Sequence, residues 1–281
     1  MSEIEQKIRE FVKEKKPKVY ILTPCYGGMC HVNYTCQLMK TINLFQMFQC
    51  DIQVEFCGMD SLVTRARNNL VARAMSDPLM THMMFIDSDI TWEPMDIFKL
   101  LLSEKPLVGG IYPLKSYQWN KLTDPEFTKR IQNVKKNPMV SGISDDNMIQ
   151  LNLLSYNLNY IKKENKIVNN LIQLKHIATG FMMISRTVIA KMSMAFPSTK
   201  YVDDISFLKP NENEFAYALF DCGVEEGHYY SEDWMFCTRW TKMKGEIYAD
   251  ISIALTHSGT EHFKGNYMAS LITTIDSTAN P

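Results

Sequence analysis

The sequence predicts an α/β fold built on a Rossmann-like, mostly parallel central sheet flanked by helices. Strand and helix patterns alternate through the first 115 residues, the order that gives βαβ units and a parallel sheet. The strand candidate at 82–86 (HMMFI) is wholly apolar, as a strand covered on both faces must be. Charged and polar residues of chemical interest follow directly after strand candidates, where open α/β sheets hold their ligands.

Taken in order, residues 3–16 read as a short charged helix, and 18–23 (KVYILT) as a strand ended by Pro24 and the Gly27–Gly28 pair. Residues 31–48 read as helical, and 51–57 (DIQVEFC) alternate as a strand. Residues 61–75 place Leu62, Ala66, Leu70 and Ala74 on one helical face. After 82–86, Pro94 opens another helix, and 107–112 form the next strand candidate. From about 120 to 172 the chain turns rich in Asn, Lys, Asp and Ser without clean periodicity, which predicts a variable insert with a hairpin near 149–168. Residues 175–185 (KHIATGFMMIS) read as a strand broken at Thr179–Gly180, 231–244 as a helix stopped by a left-handed cap at Gly245, and 246–253 as a last strand.

With 281 residues, 46% hydrophobic and 22% charged, the chain suffices for one α/β domain or two joined halves. Thirty basic and 31 acidic side chains leave a net charge of -1, so nothing electrostatic points to a nucleic-acid partner. No apolar run reaches the roughly 20 residues that span a bilayer. The leader is polar rather than signal-like, so the expected compartment is the cytoplasm, the host's if the source is viral. The seven cysteines lack metal-site spacing and are expected as reduced thiols. The nineteen methionines read as core filler.

Asp87-Ser88-Asp89 leaves the apolar strand. Two carboxylates one residue apart on such a turn can share one hard divalent cation whose remaining ligands are water and a diphosphate. The same triplet would also serve as an ordinary strand ending and turn cap.

FIDSDITWEP resembles the DXD segment of GT-A glycosyltransferases, and further blocks extend the likeness: YILTPCYGGMC, SLVTRARNNLVARAM, VGGIYPLK, ATGFMMISR, YYSEDWMFCTRW and LTHSGTEHFKG. In this order they are similar to the family-two-like glycosyltransferases of bacteriophages and large DNA viruses, over about 190 residues. The resemblance implies a metal-dependent transferase that moves a sugar from a nucleotide diphosphate-sugar, UDP-sugar by preference, to a glycan or other hydroxyl acceptor, with Mn2+ or Mg2+ as cofactor. It implies a nucleotide-sugar-binding half at 1–120, a variable insert at 121–172, an acceptor and catalytic half at 173–265 and a tail at 266–281.

Thr23, Pro24 and Tyr26 lie at the first strand's end, where the family holds the base. Arg65, Arg67 and Asn68 fall where the family carries an Arg-Asn pair, and arginine forks suit diphosphate oxygens; a solvated face would look the same. Ser88 lies between the two metal candidates. His257 resembles the third metal ligand beside Asp87 and Asp89, and Lys264 is placed to neutralise phosphate. Asp233, with Glu232 second, matches the family's acceptor base, although Ser231-Glu232-Asp233 would equally cap a helix. Thr179–Gly180 is expected as a floor beside the donor sugar, and Trp92 and Trp119 as sugar contacts. An inverting displacement is expected, with a fainter likeness to retaining mannosyltransferases. The rival readings are a nucleotidyltransferase and a catalytically silent sugar-nucleotide-binding module. Oligomerisation is left open.

Overall fold

In the computed structural model the described residues are 2–134, 142–161 and 166–275. The first half contains α1 (Glu3–Lys15), β1 (Lys18–Cys25), α2 (Val32–Met47), β2 (Asp51–Gly58), α3 (Val63–Ser76), β3 (His82–Ile86), β4 (Ile90–Thr91), α4 (Met95–Leu102) and β5 (Leu107–Gly110). There follow β6 (Pro113–Tyr117), α5 (Pro125–Val134), α6 (Asp145–Leu153), β7 (Leu154–Tyr156), β8 (Asn159–Tyr160), β9 (Ile167–Val168), β10 (Leu171–His176), β11 (Phe181–Ser185) and α7 (Arg186–Ala195). The chain continues through β12 (Gly223–Glu225), β13 (His228–Tyr230), α8 (Glu232–Lys242), β14 (Ile247–Asp250), β15 (Thr256–Ser258), β16 (His262–Lys264) and α9 (Tyr267–Ile275).

The central sheet runs β2-β1-β3-β11-β5-β14-β10-β8, with β9 also on β10. Strands β2, β1, β3, β5 and β14 point one way, while β11 and β10 run against their neighbours. The sheet is therefore mixed, with most strands in one direction. Alternate residues of one strand enter two different cores. Tyr20, Leu22, Met83 and Phe85 pack under α3, α7 and α8, whereas Val19, Ile21, Met84 and Ile86 pack under α1, α2 and α4. Cover on both faces explains the unbroken apolar run of β3. Each such side chain removed from water contributes about 1.5–3 kcal/mol.

Several local readings are corrected. Residues 175–185 are not one broken strand: β10 and β11 are separated in the sheet by β5 and β14. The chain joining them runs close against Gly109, where a Cβ would stand 2.4 Å from the Phe181 carbonyl oxygen and 2.8 Å from Ile177 Cδ1. Among the described residues no hairpin spans 149–168, because 145–153 are helical and β8 and β9 each pair with β10. Gly245 is not the left-handed residue after α8. Lys244 is, at φ 63, and Gly245 makes room for the Trp240 indole, which a Cβ would meet at 2.0 Å.

Residues of the insert pack with the C-terminal helix. Phe127, Met148 and Leu151 share a small core with Phe263 and Ala269. Strand β6 carries β7 along one edge, and β4 joins β15 and β16 in a separate three-stranded sheet. Among the described residues, no helix is long and apolar enough to cross a membrane.

Candidate functional site

The carboxyl ends of β1, β3 and β5 and the start of β11 meet at one rim, because Phe181 pairs with Ile86 and Met182 with Gly109. There the chain after β3 turns sharply. The Asp87 N–H donates to the Gly180 carbonyl at 3.0 Å, and the Ile90 N–H to the Asp87 carbonyl at 3.0 Å. The turn leads into β4, whose partner β15 brings His257 alongside. The Ser258 N–H donates to the Asp89 carbonyl at 2.8 Å.

Asp87 and Asp89 face different neighbours. Arg67, only 4% exposed, donates from Nη1 and Nη2 to the two Asp87 oxygens at 3.0 and 3.3 Å, and from Nε to Glu232 Oε1 at 3.2 Å. Its guanidinium lies 5.4 Å from the Phe85 ring centroid. One arginine thus ties the Asp-Ser-Asp turn to the start of α8.

Asp89 meets two cationic or ligating groups instead. Lys115 Nζ lies 2.5 Å from Asp89 Oδ2, and His257 Nε2 lies 3.6 Å from the same oxygen. Its other oxygen, Oδ1, is buried without a hydrogen-bond partner. Burial alone would raise the Asp89 carboxyl, but hydrogen bonds and charges from His257 and Lys115 outweigh it and hold the group at about 2. His257 Nδ1 lies 2.9 Å from the Pro113 carbonyl. A carbonyl only accepts, so Nδ1 carries a proton and Nε2 is the atom turned to Asp89. A ring oriented through its far nitrogen in this way suits metal ligation.

Gly180 is fixed by contact rather than by an open sugar subsite. A Cβ there would stand 2.6 Å from Tyr112 Oη and 3.0 Å from Asp87 Oδ2. The Gly180 N–H donates to Tyr112 Oη at 3.1 Å, and burial raises the Tyr112 phenol. Asp233 accepts from the Ser231 hydroxyl and from the Trp234 N–H, both on Oδ1. Burial raises its carboxyl above the ordinary range. Ser231 occupies the cap position of α8 but spends its hydroxyl on Asp233.

A cleft of about 200 Å³ opens over Asp87, Ser88 and Asp89, bounded by Pro24, Tyr26 and Arg67. Tyr26 stands on its rim, 76% exposed. Thr23 does not face the cleft, since its hydroxyl is buried against Tyr34 Oη at 2.5 Å. Arg65 grips Asp60 through Nε and Nη2 at 2.9 and 2.8 Å and lines a neighbouring cleft of about 310 Å³ with Asn68, Asp203 and Asp221. The Asn68 amide exchanges two hydrogen bonds with the Phe220 backbone, at 2.7 and 2.9 Å. Lys264 pairs with Thr256 across β15 and β16, one residue off the face that carries His257. Trp92 corrects the expectation of a sugar contact. It is 1% exposed and its Nε1–H donates to Thr41 Oγ1 at 3.0 Å, so it is core. Trp119 is exposed and its ring lies 5.1 Å from that of Tyr117.

Lys115 and Tyr112 were not singled out from sequence as site residues, although both lie in the quoted block VGGIYPLK. Among the described residues, no three His, Cys, Asp or Glu side chains converge into a ready metal cage. A Mg2+ or Mn2+ ion carried largely by a diphosphate needs only one or two protein ligands, however. Asp89 Oδ2 and His257 Nε2, 3.6 Å apart, fit that demand. Asp87 would join only by releasing part of the Arg67 fork.

No protein-family model matches the sequence, and no curated protein matches it significantly. Among solved structures the chain is similar to A197 from STIV, at 13% identity over 86% of each chain, with a TM-score of 0.43. It is also similar to 4-diphosphocytidyl-2C-methyl-D-erythritolsynthase from Anaerococcus prevotii DSM 20548, at 9% identity over 81% of this chain and 99% of that one, with a TM-score of 0.32. Likenesses at this level leave the chemistry to be argued from the site itself.

Proposed function

We propose that the protein is a GT-A-type glycosyltransferase that transfers a sugar from a nucleoside-diphosphate sugar to a hydroxyl acceptor. The observation that carries the reading is the meeting of His257 Nε2 and Lys115 on Asp89, a residue that lines a cleft together with Pro24, Tyr26 and Arg67. Such a rim at strand carboxyl ends suits a nucleotide, and the resemblance of the surrounding motifs supports the choice of a sugar donor.

In this reading the exposed Tyr26 ring and Pro24 flank the base, and the diphosphate lies over Ser88 and Asp89. Asp89 and His257 would hold a divalent cation, which offsets the charge that the diphosphate gains as it departs. Arg67 fixes the turn that carries Asp89 by its fork on Asp87. The acceptor oxygen attacks the anomeric carbon, its proton passes to Asp233, and the bond to the diphosphate oxygen breaks with its electron pair. A carboxyl raised by burial is a stronger base near neutral pH than an ordinary aspartate. Glu232 is held by Arg67, which favours Asp233 for that proton transfer. A single displacement inverts the anomeric centre, and NMR of the product's anomeric proton decides between inversion and retention.

The test is a panel of nucleoside-diphosphate sugars, UDP-sugars first, assayed by thermal shift and by donor hydrolysis with and without Mn2+. At least one donor should raise the melting temperature only with Mn2+ and be hydrolysed slowly, and Asp89→Asn should abolish both effects. A panel in which no donor binds or reacts refutes the reading.

A further inference from the structure

We infer that Lys115 is a latch on the cation site: its ammonium holds Asp89 while no divalent ion is bound, and moves to the donor's phosphates when one binds. The inference rests on the transferase reading and assigns a residue and a role that the sequence motifs did not. Three observations carry it. The ammonium occupies the oxygen that a cation between Asp89 and His257 would need, with Lys115 Nζ at 2.5 Å and His257 Nε2 at 3.6 Å from the same Oδ2. An ion and an ammonium cannot share that oxygen, because like charges at such a distance repel strongly.

The lysine is also seated rather than loose. Its stem lies against Gly259, where a Cβ would stand 3.0 Å from Lys115 Cδ. Glycine two residues after His257 therefore leaves the path for the stem. The ammonium is finally in a position to leave. The Lys115 side chain is 38% exposed and Asp89 only 23%, so the carboxylate stays in place while the lysine is free to swing toward the cleft. A lysine is suited to such a move, being a point charge on a flexible stem rather than a planar fork. Its anchor is firm, since β6 is held by β7 through Pro113–Tyr156 and Tyr117–Leu154.

The consequence is competition without donor and cooperation with it. Removing the ammonium should tighten binding of the ion alone and weaken binding of the nucleoside diphosphate with its ion. Mn2+ affinity, followed by EPR or calorimetry on full-length protein, is measured for the wild type, Lys115→Met and Gly259→Ala. Lys115→Met is expected to bind Mn2+ alone roughly fivefold more tightly, the scale of one partly exposed ion pair. Gly259→Ala, which crowds the stem, should shift affinity in the same direction. Lys115→Met should bind UDP with Mn2+ roughly tenfold more weakly. A gain in ion affinity is a readout that misfolding would not produce. Equal or weaker Mn2+ binding by Lys115→Met overturns the latch while leaving the transferase reading in place. Absence of Mn2+ and nucleoside-diphosphate binding in the wild type overturns both.

Discussion

Arg67 is the side chain whose loss should be felt most, and its cost can be worked from the contacts. It is buried between Asp87 and Glu232, with donor–acceptor distances of 3.0–3.3 Å. At about 3 Å and an effective dielectric near 20, each pair attracts by roughly 5 kcal/mol before the cost of burying the ions is subtracted. Arg67→Met retains apolar bulk over Phe85 but strands two carboxylates close to a third, Asp233. Breaking a buried pair in this way costs about 3–5 kcal/mol, a large part of the ~5–15 kcal/mol that holds a typical domain together. Urea unfolding at neutral pH should show that loss. Adding Glu232→Gln to Arg67→Met should recover part of it. A loss below about 1 kcal/mol would refute the account of Arg67 as the clamp of the site.

Three further outcomes follow from named contacts. Burial opposes ionisation of Asp77, but Lys18 Nζ at 2.6 Å, the Leu79 N–H at 2.9 Å and the Tyr20 hydroxyl at 2.8 Å hold its carboxyl at about 2. Its contribution is therefore present above about pH 4 and lost as pH falls toward 2, so Asp77→Asn should cost about 2 kcal/mol at pH 7 and nothing near pH 2 in acid-titrated urea midpoints. Burial holds the His176 imidazole at about 4, and the ring stacks on Trp234 at 4.8 Å. The unfolded chain takes that proton first, so stability falls as pH drops from about 6.5 to 4, and His176→Phe should flatten this limb; an unchanged slope excludes His176 as its source. Gly180→Ala sets a methyl against Tyr112 Oη and should cost about 1–3 kcal/mol, part of which Tyr112→Phe restores in the double variant; if the two effects simply add, the predicted clash is not the cause.

What could be read from sequence was what local pattern controls. The strand at 82–86 is continuous in apolar residues because both of its faces are covered, and that much is visible without coordinates. The crossing from β10 to β11 was not, because it depends on Gly109 approaching Phe181, two segments more than 70 residues apart. Trp92 was misplaced for a similar reason. Three residues after Asp89 looks like the site, but the strand at Ile90–Thr91 turns the indole inward onto Thr41. Gly245 signalled a cap, whereas the true constraint was the bulk of Trp240 five residues earlier. Lys115 carries no spacing signal at all. Its place beside Asp89 is set by β6 and β15 lying together and by the missing side chain of Gly259.

The alternation within Asp87-Ser88-Asp89 has a consequence that a shared-cation picture does not contain. The two carboxylates of this turn take different partners. Both carboxylates line the cleft, but Asp87 is gripped by Arg67, which joins it to Glu232, whereas Asp89 meets Lys115 and His257. Arg67 therefore links the turn that presents Asp89 to the helix start that presents Asp233, through Glu232 as its immediate neighbour. The two ends of the proposed reaction, departure of the diphosphate and deprotonation of the acceptor, are positioned by one buried guanidinium. Precision at both ends then requires that Arg67 stay where it is, and its burial together with three charge-assisted hydrogen bonds is the physical means of keeping it there.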